Sequence, residues 1–229
     1  MTLDEYKARA KQDLDNAFEK GKAQGGTDWL YYASRLNNTF GGVVFPENTE
    51  FIGRFKGATD YGYMFNNCRN IKSVKMITET PDTILNMTAF CAISSASTPT
   101  LELVDFSEFN KQFNNTYNMF SYQRKLKKIV GAMDLTSCTN AQFMFRYNDS
   151  LEEVEFVNGT IGVNLDFSAC KNLKAESYDS IIKGHSKEAS VTLTLPKETT
   201  VRSVYDAKYG SGAWDAITAE YPNVTIAYM

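Results

Sequence analysis

The chain has 229 residues, 43% of them hydrophobic and 13% aromatic, which supplies a core and excludes wholesale disorder. Its formal charge is −3, from 24 basic and 27 acidic residues, so it lacks the concentrated positive charge of a general nucleic-acid binder. No run of 18 apolar residues exists and the first twenty residues are charged throughout, so neither membrane insertion nor a secretory leader is expected.

Residues 2–24 read as one helix, within an N-terminal segment 1–26. Thr2 suits the N-cap, Asp4 and Glu5 the first turn, and Gly25-Gly26 the stop. Leu3, Tyr6, Ala10, Leu14, Ala17 and Phe18 recur at i, i+3 or i+4 and form one apolar stripe. Such a helix either caps the first coil of a repeat array or docks the chain to an assembly, a homo-oligomer included. Residues 27–57 hold Trp29, Tyr31, Tyr32, Phe40, Phe45, Phe51 and Phe55. That aromatic density fits an N-terminal cap, with most rings in the core and the alternative of stacking on sugar rings.

Residues 58–196 repeat. The pattern apolar-x-x-apolar-x-apolar runs Ile71–Val74–Met76, Leu101–Val104–Phe106, Leu126–Ile129–Gly131 and Leu151–Val154–Phe156, with a weaker copy from Leu173. The starts are 30, 25, 25 and 22 residues apart. Phe65, Phe120 and Phe145 each stand six residues before a copy; Phe90 stands eleven before Leu101, which assigns that copy a five-residue insertion within SSASTPT. One strand-plus-turn unit cannot cover its own apolar side, so neighbours must stack. A sandwich or barrel would place strands every 8–12 residues, not every 25. The residue after the first apolar position is Lys72, Glu102, Lys127, Glu152 and Lys174 in turn, alternating in sign. In a parallel stack these side chains neighbour one another as opposite-charge pairs, which makes a solvated structural face.

Residues 197–229 form a C-terminal cap. KETTVRSVYDAKY is a helix stopped by Gly210, AWDAITAEY a second helix, and VTIAYM a strand entered by a Pro222–Asn223 turn. That strand is expected to pair beside VTLTL (191–195).

Few residues offer chemistry. Cys68, Cys91, Cys138 and Cys170 stand in no C-x-x-C spacing and read as small buried apolar residues, not a metal site. The single histidine, His185, lies in KGHSKE, which reads as an exposed helix end. No nucleophile elbow, P-loop or dinucleotide fingerprint is present, so no catalytic residue, cofactor or metal is assigned.

The combination M-F-x-x-x-x-x-L-x-x-V-x-F, the segment TDWLYYASRLNNTF and the tail NLKAESYDSII followed by TLTL resembles BspA-type leucine-rich-repeat proteins. More narrowly it is similar to the versions carried by phages and prophages of gut bacteria. The resemblance covers roughly residues 27–196. It implies an α/β repeat fold: a leucine-rich-repeat-like solenoid with short parallel strands, an N-terminal helix and an α/β C-terminal cap. It also implies a role at a virion or cell surface and carries no catalytic residues.

The function expected is therefore a non-enzymatic recognition or structural module of a phage particle, of tail or fibre type. Its partner would be another virion protein or a host cell-surface protein or glycan. A bacterial cell-surface adhesin, a carboxylate-based glycan hydrolase and an inhibitor of a host protein are the alternatives. The residues expected between coils, as partner contacts, are Tyr61, Tyr63, Asn66, Asn67, Tyr117, Asn118, Tyr122, Tyr147 and Asn148. Against that role, the tyrosines could pack on adjacent coils and the asparagines bond turn backbone.

Overall fold

The repeated apolar positions become short strands, because once extended they all face one side. The computed structural model describes residues 28–32, 36–78, 84–109 and 112–229. The helix expected over 2–24 and the side chains of Trp29, Tyr31 and Tyr32 lie outside the described residues. The elements are β1 (Asp28–Tyr32), β2 (Val44–Lys56), β3 (Arg69–Thr78), β4 (Leu85–Asn86), β5 (Leu103–Glu108), β6 (Phe113–Asn115), β7 (Lys128–Val130), β8 (Leu165–Asp166), α1 (Ala175–Gly184), β9 (Val191–Leu195), α2 (Glu198–Tyr209), α3 (Ala213–Ala219) and β10 (Val224–Tyr228).

This is a mixed α/β protein with parallel sheets. One sheet has the order β1-β2-β3-β5-β7, a second β10-β9-β8, and a third β4-β6. Every strand pairing is parallel. In the first sheet Phe51, Val74, Val104 and Ile129 stand in register, all buried. The Ile129 amide donates to Glu153 O at 2.9 Å and carries the register into the next copy. No helix among the described residues is long and apolar enough to cross a membrane.

The turns also bond to one another. Asn38 N–H donates to Gly62 O, Tyr63 to Thr88 O, Ala89 to Tyr117 O and Asn118 to Gln142 O, at 2.7–3.0 Å. Before each turn, the carboxylate or amide oxygen of Asp60, Asn86, Asn115 or Asn140 accepts the backbone N–H two residues on, at 3.0–3.2 Å. These local Asx bonds fix the start of each turn. The stacked turns include Asn37–Gly42, ahead of the boundary expected at 58, and Leu36 N–H donates to Asp60 O.

Aromatic rings fill the inside. Phe40 stacks on Phe65 at 5.2 Å, Phe120 on Phe145 at 5.9 Å and Phe145 on Phe167 at 4.4 Å between centroids. The marker Phe90 proves shifted by one. Phe40, Phe65, Cys91 and Phe120 are the equivalent amide donors, to Met64, Phe90, Met119 and Met144. Phe90 therefore takes the methionine position and Cys91 the phenylalanine one. Cys91 stands ten residues before Leu101, so the insertion is four residues long, not five.

Helix α1 ends the first sheet in a specific way. The Ser177 hydroxyl accepts the Val154 N–H at 3.0 Å and donates to Glu152 O at 3.2 Å. Ser180 accepts the Phe156 N–H at 2.8 Å. Two serines three residues apart on one helix face thus replace the backbone of a further strand. The C-terminal unit follows its expected plan: α2 stops at Gly210, whose φ is +105°, and β10 pairs with β9, Val224 opposite Val191. Buried Trp214 on α3 packs against Tyr178 and Tyr205, and its indole N–H donates to Tyr228 Oη at 2.9 Å.

Candidate functional site

Two faces carry polar side chains in rows. The first is the strand face. The backbone links Lys72, Glu102, Lys127, Glu152 and Lys174 in one line: each amide from Glu102 onward donates to the preceding residue's carbonyl at 2.8–3.0 Å. Ion pairs close two of the four steps, Lys127–Glu102 at 3.2 Å and Lys174–Glu152 at 3.6 Å. Flanking pairs add Lys72–Glu50, Lys75–Asp105, Lys128–Glu153 and Lys174–Glu153. Hydrogen bonds from Lys128 and Lys174 hold the Glu153 carboxyl below its usual range. This row neutralises itself and leaves no excess of one sign for a ligand.

The second face is the row of turns. Asn38, Tyr63, Ala89, Asn118 and Phe143 occupy the equivalent turn position, and all have left-handed backbone, with φ of +49° to +62°. Asn67, Tyr122 and Tyr147, four residues after their partners, repeat that conformation at +56° to +65°. A left-handed non-glycine residue costs about 1–2 kcal/mol. The repeated turn imposes this conformation in every coil, and at Tyr63, Phe143, Tyr122 and Tyr147 an aromatic residue carries it.

Of the residues expected as partner contacts, Tyr63 and Tyr147 are the most exposed, at 42% and 38%. Tyr117, Asn118 and Tyr122 are half-buried. Two expectations are overturned. Tyr61 is only 1% exposed and packs edge-on against Phe55 and Phe109, since it points into the core one residue after Asp60. Asn148 is fully buried and its amide donates to Phe120 O and Gln123 O. Asn66 and Asn67 spend their amides on the turn: Asn66 donates to Ala92 O, Asn67 donates to Asn66 Oδ1, and Asn67 Oδ1 accepts the Ser94 N–H.

The turn row has a basic, aromatic end that the sequence reading did not identify. Tyr122 and Tyr147 lie 4.7 Å apart with a 30° tilt. The Arg146 guanidinium lies 5.1–5.4 Å from the Phe143, Tyr122 and Tyr147 rings, and Arg124 lies 5.3 Å from Tyr147. Each contact is of cation–π range. A groove lined by Tyr63, Asn67, Ile93, Asn118, Tyr122 and Arg146 runs along the row to this end. The signal in the sequence was an arginine one residue after Phe145 and another two after Tyr122. It becomes readable only once the turns are set in register.

His185 and three of the four cysteines are enclosed, whereas Cys68, expected to be buried, is half-buried. His185 is 1% exposed, not at an open helix end, because Ile161 pairs with it as a bridge and α1 covers it. Its Nδ1–H donates to Ile181 O at 2.7 Å, and burial pushes its pKa below the usual value. Burial pushes the Cys68 thiol up to about 12 and raises those of Cys91 and Cys170. Among the described residues, no three His, Cys, Asp or Glu side chains converge on a point where a metal ion would sit.

The chain matches no family model, no curated protein and no solved structure. The site is described by its own geometry: a self-neutralised strand face and a turn row that presents tyrosines and arginines. Such a row suits binding; its exposed groups offer aromatic faces and fixed positive charge.

Proposed function

We propose that the protein is a non-enzymatic recognition module built as a leucine-rich-repeat-type solenoid. It serves as a tail- or fibre-type component of a phage or prophage particle and contacts a host surface or another virion protein. The solenoid reading is supported by hydrogen bonds between residues about 25 apart on both the strand face and the turn row. The observation that carries the recognition role is the turn row itself. Phe143, Tyr122 and Tyr147 are held in left-handed backbone beside two arginines, and Tyr63 shares that backbone farther along the row. Enclosure of the only histidine supports a binding role over a catalytic one.

Fluorescently labelled protein incubated with intact cells of gut bacteria tests the role. Saturable binding to at least one strain, weakened by Tyr122→Ala with Tyr147→Ala, is the expected result. Equal binding by the double variant contradicts it. Light scattering with and without residues 1–24 then separates particle component from free-standing binder: a multimer that falls to monomer on truncation supports the former.

A further inference from the structure

We propose that Arg124 and Arg146, held against Tyr122 and Tyr147, form a subsite for the carboxylate of an acidic polysaccharide; this rests on the recognition role above. Most lysines on the strand face meet a carboxylate. By contrast, among the described residues no ion pair or side-chain hydrogen bond engages Arg124, Arg146 or the adjacent Lys125, and Asp149 pairs with none of them. Among the described residues, no protein acceptor takes up either guanidinium. The N–H donors of each lie in its plane and stay available, in the fork that matches a carboxylate. Both arginines lie against the same ring, Tyr147, at 5.3 and 5.2 Å.

A sugar acid fits better than an acidic peptide. Tyr63 lines the groove and is 42% exposed, with no cation–π contact on its ring among the described residues, so aromatic surface is offered as well as charge. A uronic or sialic acid unit presents an apolar ring face beside its carboxylate, whereas Asp and Glu side chains have no such face. The net charge of −3 does not oppose an anionic ligand here, because Arg124, Lys125 and Arg146 make one end of the row locally basic.

The test is calorimetric titration of the full chain with polygalacturonate, alginate and polysialic acid, and with methyl-esterified polygalacturonate as the uncharged counterpart. At least one acidic polymer should bind, its esterified or neutral form weakly. Arg124→Gln with Arg146→Gln should weaken binding at least about tenfold while the chain stays folded, its melting temperature falling only slightly as the cation–π contacts are lost. Arg146→Lys should recover only part, since an ammonium cannot reproduce the fork. Equal binding of esterified polymer, or no effect of the arginine variants, overturns the subsite. So does poly-glutamate binding as tightly as the sugar acids, which assigns the arginines to an acidic peptide. Failure of all three polymers while cell binding persists overturns the subsite and leaves recognition standing. Loss of cell binding as well removes the recognition role itself.

Discussion

Lys127 Nζ lies 3.2 Å from Glu102 Oε2, and the Lys127 amide donates to the Glu102 carbonyl at 2.9 Å. Backbone and side chain thus join the same two residues, 25 positions apart in the chain. Glu102→Lys places a third cation between Lys72 and Lys127. The pair is about half exposed, so the cost is small, about 0.2–1 kcal/mol. The melting temperature should fall in about 10 mM salt and recover most of the difference at about 0.5 M, where charges are screened. Adding Lys127→Glu should restore part of it. An unchanged melting temperature in low salt would show that the row contributes nothing.

Gly131 explains the copy that lacks a large last residue. Its φ is +92°, and a Cβ there would sit 2.8 Å from the Phe106 carbonyl carbon. Gly131→Ala therefore combines a left-handed penalty with a backbone collision, and should cost more than about 2 kcal/mol. Gly42→Ala shares the positive φ, at +77°, but meets open space. It should cost only about 1–2 kcal/mol. Urea unfolding of both variants gives the comparison, and equal losses would remove the collision from the explanation.

The serines of α1 replace a strand, so their removal should be felt in the neighbouring copy. Ser177→Ala leaves the buried Val154 N–H without its acceptor, a loss of about 1–3 kcal/mol. Hydrogen exchange should speed up at Val154 in that variant and at Phe156 in Ser180→Ala. Protection that stays the same at both amides would mean that neither hydroxyl is the acceptor.

His185 sets an acid limit. Its folded pKa lies below the usual value of about 6.5, since burial disfavours the charged ring. Below that value the unfolded chain takes up a proton and the folded chain does not. The contribution is therefore full above about pH 6.5 and declines as the pH falls towards the folded pKa. Urea midpoints at about pH 7 and about pH 5 should differ more for the natural chain than for His185→Asn, which keeps a donor for Ile181 O. Parallel shifts in both would place the acid sensitivity elsewhere.

The strands were legible because an alternating apolar pattern recurs every 22–30 residues and burial permits only one face inward. The alternating Lys/Glu positions were legible for the same reason, since parallel register carries equal positions into contact. The turn row was harder. Asp60, Asn86, Asn115 and Asn140 precede it at a constant distance from Met64, Phe90, Met119 and Met144, a regularity hidden by the substitution of Cys91 for phenylalanine. Tyr61 and Tyr63 differ by two positions yet lie in core and solvent, because the turn starts between them and Tyr63 itself takes left-handed backbone. His185 looked exposed from its polar neighbours; its burial depends on Ile161, 24 residues earlier.

Every part of this description depends on one relationship: successive strands lie parallel, in the register that sets Leu103 beside Lys128. Paired cysteines measure it directly. Leu103→Cys with Lys128→Cys brings two Cα atoms to about 4.8 Å, within disulfide range, whereas Leu103→Cys with Val130→Cys is two residues out of register. Mild oxidation followed by peptide mapping should find the 103–128 bridge in high yield and little of the other. A dominant 103–130 bridge, or none in either variant, would contradict the stacked register.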